Sequence, residues 1–122
     1  MKKVIDYRKG AYALRILRGE KTIYIVGWFK TPEEAEKFWN FCIKNKLSPW
    51  QMDIAMDLLK GYKVHLYPVI WGKRFTKFRK PYVLKIKKVA DLLGAKYVPG
   101  PRGGKTTGYY FLPPEKRVII PE

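Results

Sequence analysis

The stretch "YIVGWFKTPEEAEKFW", residues 24–39, decides the fold of the first part of the chain, because a strand pattern changes into a helix pattern within it. Its first half is rich in β-branched and aromatic residues, which favour strands. In its second half Thr31 can cap a helix, Pro32 suits the first helical position, and Glu34 completes a capping box. Apolar residues then recur at helical spacing and predict one buried helix face: Ala35, Phe38, Trp39 and Cys42.

Upstream of this stretch the sequence predicts a β-hairpin. Residues 12–17 and 22–29 should pair antiparallel, because Gly19 can adopt the positive φ of a tight turn. Strand alternation divides the side chains between two faces. The residues expected to face the helix are Tyr12, Leu14, Ile16, Tyr24 and Val26. The residues expected on the opposite face are Ala13, Arg15, Leu17, Ile23 and Ile25.

The remaining chain predicts further helices and a C-terminal hairpin. A second helix should begin after the cap Ser48, with Gln51 closing a capping box, and end at Gly61. A strand at 63–71 contains Pro68. A helix follows at 83–94, with Ile86, Val89, Ala90 and Leu93 expected to face inward. Residues 95–98 and 108–112 form the hairpin arms, and a last strand is expected at 116–122. We therefore expect an α+β fold: a small antiparallel sheet packed on an amphipathic helix, followed by further helices and a C-terminal β-hairpin. We place a soft division between residues 1–46 and 47–122, and one fused domain is the alternative.

Charge is the strongest global property of this sequence. Its 122 residues include 26 Lys and Arg against 10 Asp and Glu, a formal net charge of +16. Such a field attracts polyanions, so nucleic acid is the expected partner. The lack of a long apolar run predicts a protein without membrane segments or a signal peptide, which we expect in the cytoplasm with the nucleoid. Abundant Lys beside scarce Gln and Asn hints at a thermophilic source.

Residues 7–45 resemble the DNA-binding domain of the ethylene-response-factor type and the arm-type domains of phage-like integrases. The likeness rests on a strand leading into a helix through Gly27, Phe29, Thr31, Glu33, Glu34 and Ala35. It implies a three-stranded sheet whose face opposite the helix lies in the DNA major groove, with Arg and aromatic side chains touching DNA. Arg15 is then the expected mid-strand contact. The outward isoleucines depart from the family pattern and favour a covered face, a homodimer interface or apolar contact with thymine methyl groups.

Residues 48–113 resemble winged helix-turn-helix proteins in element order. This likeness implies that the helix at 82–93 enters the groove and that the hairpin tip touches phosphates. The basic segment at 73–80 alternates cations with Phe75 and Phe78, a composition suited to phosphate neutralisation and stacking on bases. From both parts of the chain, the candidate nucleic-acid-binding residues are Arg8, Lys9, Arg15, Arg18, Lys21, Lys73, Arg74, Lys77, Arg79, Lys80, Lys85, Lys88, Arg102 and Lys105.

Catalytic patterns are weak in this sequence. "GAY" at 10–12 and "YIVG" at 24–27 approximate the strands of a GIY-YIG nuclease, but the arginine expected on the following helix is absent. One cysteine, Cys42, and one histidine, His65, argue against a disulfide framework and a zinc site. We expect no metal and no cofactor. The favoured function is a non-catalytic, sequence-tolerant or moderately specific double-stranded DNA-binding protein, regulatory or architectural, of a mobile element or thermophilic host. The alternatives are a GIY-YIG-like nuclease or recombinase accessory, and an RNA- or ribosome-binding protein.

Overall fold

The computed structural model describes residues 2–66, 80–100 and 108–117. For residues 80–82 it describes the backbone only. The fold is α+β, as the sequence predicts. Its elements, in chain order, are β1 (Lys2–Arg8), β2 (Ala11–Arg18), β3 (Lys21–Phe29), α1 (Pro32–Lys44), α2 (Pro49–Leu59), β4 (Val64–His65), α3 (Lys80–Leu93), β5 (Lys96–Val98), β6 (Tyr109–Phe111) and a 3₁₀ turn (Pro114–Lys116).

The chain divides into two compact units. The first ends at Met56, and the second runs from Asp57 to Arg117, so the division falls within α2. Within the described residues, each unit contains one three-stranded antiparallel sheet. The strand order is β1-β2-β3 in the first and β4-β6-β5 in the second.

In the first unit, α1 packs on one face of the sheet. Leu14 and Ile16 of β2 and Val26 of β3 are fully buried, and so are the helix residues Ala35, Phe38 and Cys42, whereas the predicted face residue Trp39 is half-buried. The rings of Phe29 and Phe38 lie 5.7 Å apart between their centroids. Lys3 joins β1 to the helix, since its Nζ lies 3.2 Å from Glu36 Oε1 and 5.7 Å from the centroid of Trp39.

The predicted helix signals are confirmed. Thr31 Oγ1 accepts a hydrogen bond from the Glu34 backbone N–H at 3.2 Å, and Glu34 Oε2 accepts one from the backbone N–H of Lys30. At α2, Ser48 and Gln51 exchange the two bonds of a capping box. Gly61 follows α2 with a φ of +90°, as expected for a glycine that ends a helix.

A glycine bulge sets the faces of the first sheet. Ala13 pairs with Trp28 and Leu14 pairs with Val26, so Gly27 is the extra residue on β3, with a φ of +68°. The bulge turns Phe29 toward α1 and Trp28 to the opposite face. Without the bulge, alternation from Val26 would place Trp28 toward α1 and Phe29 on the opposite face.

In the second unit, the buried side chains of α3 include Ile86, Val89, Ala90 and Leu93, as the sequence predicts. The C-terminal hairpin is also confirmed, because β5 pairs antiparallel with β6. The predicted strand at 63–71 is described only as β4, and Pro68 lies outside the described residues. The expected last strand at 116–122 begins in a 3₁₀ turn, and residues 118–122 are not described.

Two cations near the end of the described chain have structural contacts. Lys116 Nζ donates a hydrogen bond to the Gly94 carbonyl at 3.4 Å, and Arg117 Nε donates one to the Leu112 carbonyl at 2.7 Å. The Arg117 guanidinium also lies against Gly61, where a Cβ would be 2.8 Å from its Cζ. These contacts secure the chain after α2 and α3, so both cations serve the fold.

Candidate nucleic-acid interface

The sheet face opposite α1 in the first unit is partly apolar. Trp28 is 50% exposed and Ile25 is 47% exposed on this face, whereas Ile23 is half-buried. Ala13 was expected to be exposed here but is fully buried, because its small side chain lies between Asp6 on β1 and Trp28 on β3. Sequence alternation missed Trp28, and the signal that could have found it is the glycine within a strand.

Arg15, the expected mid-strand contact, is held by other residues of its own sheet. Its Nε lies 2.6 Å from Asp6 Oδ2 as an ion pair, and its Nη1 donates a hydrogen bond to Thr22 Oγ1 at 3.1 Å. Arg8 Nη2 also approaches Asp6, at 3.7 Å. The central cation of this face is therefore largely neutralised and positioned within the sheet.

The other predicted cations of the first unit lie at opposite ends of the sheet. Arg8 and Lys9 are exposed at the turn between β1 and β2, and Arg18 and Lys21 are exposed at the turn between β2 and β3. These turns are separated by the length of β2, roughly 25 Å for a strand of this size. The fold does not gather these four cations into one cluster.

The second unit contains most of the positive charge. Between Asp57 and Arg117 the sequence has 15 Lys and Arg and only 3 Asp and Glu. On α3, Lys85 and Lys88 are exposed as predicted, and Lys87 is exposed beside them. Leu84, 54% exposed, and Leu92 lie on the same outer surface, where a shallow depression is lined by Leu84, Lys87, Lys88, Asp91 and Leu92.

Several predicted contacts fall on parts of the chain that the structure leaves out. These residues are Lys73, Arg74, Lys77, Arg79, Arg102 and Lys105, and for Lys80 only the backbone of α3 is described. Their proposed role stays a prediction.

The two faces of the second sheet differ in character. Tyr110 is buried, and its pKa is raised above the usual value by burial and, to a smaller extent, by the nearby charges of Asp91 and Tyr97. Asp91 belongs to α3, which places Tyr110 on the helix side of the sheet. Its neighbours in β6, Tyr109 and Phe111, therefore face the other way. Sequence reasoning did not single out this second face, because the pairing of β4 with β6 is long-range.

The described ranges contain neither a metal-binding cluster nor a membrane-spanning helix. There, no three His, Cys, Asp or Glu side chains come together in a way that would hold a metal ion. Within the same ranges, every helix is too short or too polar to cross a bilayer.

Comparison with known proteins gives no relative: no family model, no curated protein and no solved structure matches this chain.

Proposed function

We propose that the protein is a non-catalytic double-stranded DNA-binding protein that uses its second unit, with α3 and the β5–β6 hairpin as the contact surface. The observation that carries this proposal is the presence of three exposed lysines on α3, Lys85, Lys87 and Lys88, in the part of the chain with the largest charge excess. Lysines on an exposed helix neutralise phosphates and release counterions from the duplex.

The strand order of the second sheet supports the same proposal. β4 precedes α3 in the chain but pairs with β6, the last strand of the hairpin. In winged helix-turn-helix proteins a short strand joins the wing hairpin in this way, and the helix before the hairpin enters the major groove. The exposed Leu84 and Leu92 would then contact sugars or thymine methyl groups, and Arg102 and Lys105 of the hairpin loop would contact phosphates.

The N-terminus of α3 also suits an anion. The first turn of α3 carries no acidic residue, whereas α1 has Glu33 and Glu34 in its first turn. The first-turn carboxylates of α1 thus offset the positive end of its helix dipole, and the first turn of α3 supplies no such carboxylate. A phosphate near the start of α3 would be stabilised.

The first sheet is the weaker candidate for the DNA surface. Its central arginine is paired with Asp6, and two exposed side chains on the face opposite α1, Ile25 and Trp28, are apolar. The likeness to ethylene-response-factor domains stays a proposal for this face. Nucleoid association and a regulatory or architectural role follow from DNA binding and are proposed with it.

The test replaces two lysines of α3. Binding of a labelled 20-base-pair duplex to the variant Lys87→Gln/Lys88→Gln is measured by fluorescence anisotropy at several salt concentrations. We expect weaker binding to every duplex sequence, and a log–log salt slope that is shallower by roughly 2, since each lost phosphate contact removes about 0.9. The matched control is Lys37→Gln/Lys44→Gln, which removes the same charge from exposed positions of α1.

Three outcomes would count against the proposal. An equal loss of duplex affinity in both variants would mean that binding depends on the net charge of the protein and not on the surface of α3. Displacement of the duplex by RNA but not by DNA competitor would favour the RNA-binding alternative. Magnesium-dependent nicking of the duplex would favour the nuclease alternative.

A second variant distinguishes the two surfaces. Asp6→Asn removes the carboxylate that holds Arg15, so it would tighten duplex binding if the first sheet lay in the groove. We expect affinity unchanged within about twofold, because the contact surface is on the second unit. Tightening by tenfold or more would move the DNA interface to the first sheet.

A further inference from the structure

One face of the second sheet combines rings and cations. The strand register places His65 beside Tyr109, Tyr109 beside Val98, and Phe111 beside Lys96. Lys63, just before β4, belongs to the same surface because its Nζ lies over the Tyr109 ring. We call this surface the ring face; its members are Lys63, His65, Lys96, Val98, Tyr109 and Phe111.

The rings of this face form a continuous row. The Tyr109 ring lies 5.3 Å from the His65 ring and 6.2 Å from the Phe111 ring, measured between centroids. Lys63 Nζ lies 4.9 Å from the centroid of Tyr109. His65 is exposed, and Tyr109 and Phe111 are half-buried, so both aromatic side chains keep surface in contact with solvent.

The charge of the ring face is positive. Lys63 and Lys96 are exposed on it. The acidic residues of the second unit lie on other elements: Asp57 on α2, Asp91 on α3 and Glu115 in the 3₁₀ turn. A ligand for this face must therefore supply negative charge and flat apolar groups together.

We propose that the ring face binds single-stranded nucleic acid, with unpaired bases stacked on Tyr109 and Phe111 and the phosphates near Lys63 and Lys96. Alternate residues of a strand are about 7 Å apart, which allows neighbouring rings to receive successive bases of an extended strand. Stacking on aromatic side chains tolerates any base sequence, and lysines beside the rings neutralise the backbone.

The same chemistry explains why the ligand is single-stranded. In a duplex the flat faces of the bases are already stacked on each other, and only their edges face the grooves. Aromatic rings on a sheet can stack only on bases that are free of such neighbours. This inference does not rest on duplex binding by α3, because it uses different residues and a different form of nucleic acid.

The experiment measures the affinity of labelled oligothymidine and oligouridine by fluorescence anisotropy. In the variant Tyr109→Leu/Phe111→Leu, the leucines keep apolar volume in the sheet but remove the π-faces. We expect affinity for the single strand to fall about tenfold or more, and affinity for the duplex to be retained. The matched control is Tyr7→Ala, an exposed tyrosine of the first unit, which should leave both affinities unchanged.

A second measurement holds even if the leucine variant fails to fold. Oligonucleotides carrying 5-iodouracil are photocrosslinked to the unaltered protein, and the attachment sites are found by mass spectrometry. We expect crosslinks at Tyr109, Phe111 or His65. Lys63→Gln/Lys96→Gln should reduce the salt dependence of single-strand binding.

Binding, crosslinking and competition each give a result that supports or overturns the inference. Binding of DNA, RNA or both supports the inference and identifies the source of the strand. Failure of both oligonucleotides to bind would overturn it, as would crosslinks confined to residues away from the ring face. Displacement of the oligonucleotide by polyglutamate at equal charge concentration would also overturn it, because the ligand would then be any acidic chain.

Discussion

The bulge in β3 of the first sheet requires a glycine at position 27. The φ of Gly27 is +68°, and a Cβ there would lie 2.9 Å from Phe29 Cε2 and 3.0 Å from Met56 Cε. The left-handed backbone costs roughly 1–2 kcal/mol for a residue with a Cβ, and the overlap with packed side chains adds to this. We predict that Gly27→Ala lowers the free energy of unfolding by about 3 kcal/mol, as measured by urea denaturation.

Gly19 provides the matched control. It has nearly the same φ, +65°, but a Cβ there would meet nothing within 4 Å. Gly19→Ala should therefore show the backbone cost alone, roughly 1 kcal/mol. Equal losses at the two positions would mean that packing around the bulge contributes nothing.

Cys42 should be chemically inert in the folded protein. Its side chain is fully buried, and burial raises the pKa of the thiol to about 12. Only the thiolate reacts with disulfide reagents, and at pH 8 a thiol with this pKa remains protonated. We predict that Ellman's reagent labels the native protein far more slowly than the protein in urea. Equal labelling rates at pH 8 would show that Cys42 is accessible.

At the scale of elements, α1 depends on its N-terminal cap. The Thr31 hydroxyl accepts the backbone N–H of Glu34, and the helix then presents its buried face to the sheet. We predict that Thr31→Ala lowers the free energy of unfolding by about 1 kcal/mol in urea denaturation, whereas Thr31→Ser retains the hydroxyl and most of the stability. A loss of the same size for serine would assign the effect to the threonine methyl group.

At the scale of the whole molecule, the charge of +16 should itself oppose folding. Like charges repel more strongly in the compact state, and salt screens this repulsion. We predict that the thermal midpoint, measured by circular dichroism without nucleic acid, rises by several degrees between 20 and about 200 mM KCl. A midpoint that is flat or falls over this range would mean that stabilising ion pairs outweigh the repulsion.

Local signals made much of the fold predictable. The capping residues Thr31 and Ser48, the turn at Gly19 and the buried stripe of α3 depend on neighbours within a few positions, and each appears as expected. The candidate site was less predictable. Alternation gave the correct outward position for Ile25 but missed Trp28, because the bulge at Gly27 reverses the faces of β3.

The sequence by itself determined the α+β class, the N-terminal caps of α1 and α2 and the excess of positive charge, because propensities, caps and composition are local or additive. It did not place the start of α3, which begins at Lys80, three residues before the predicted position. Only the tertiary structure showed that Asp6 holds Arg15 and that β4 pairs with β6 to align His65, Tyr109 and Phe111. The Asp6–Arg15 and His65–Tyr109 contacts each join different strands, and the second pair is more than 40 positions apart in the chain. Their geometry depends on strand register, which no short stretch of sequence specifies.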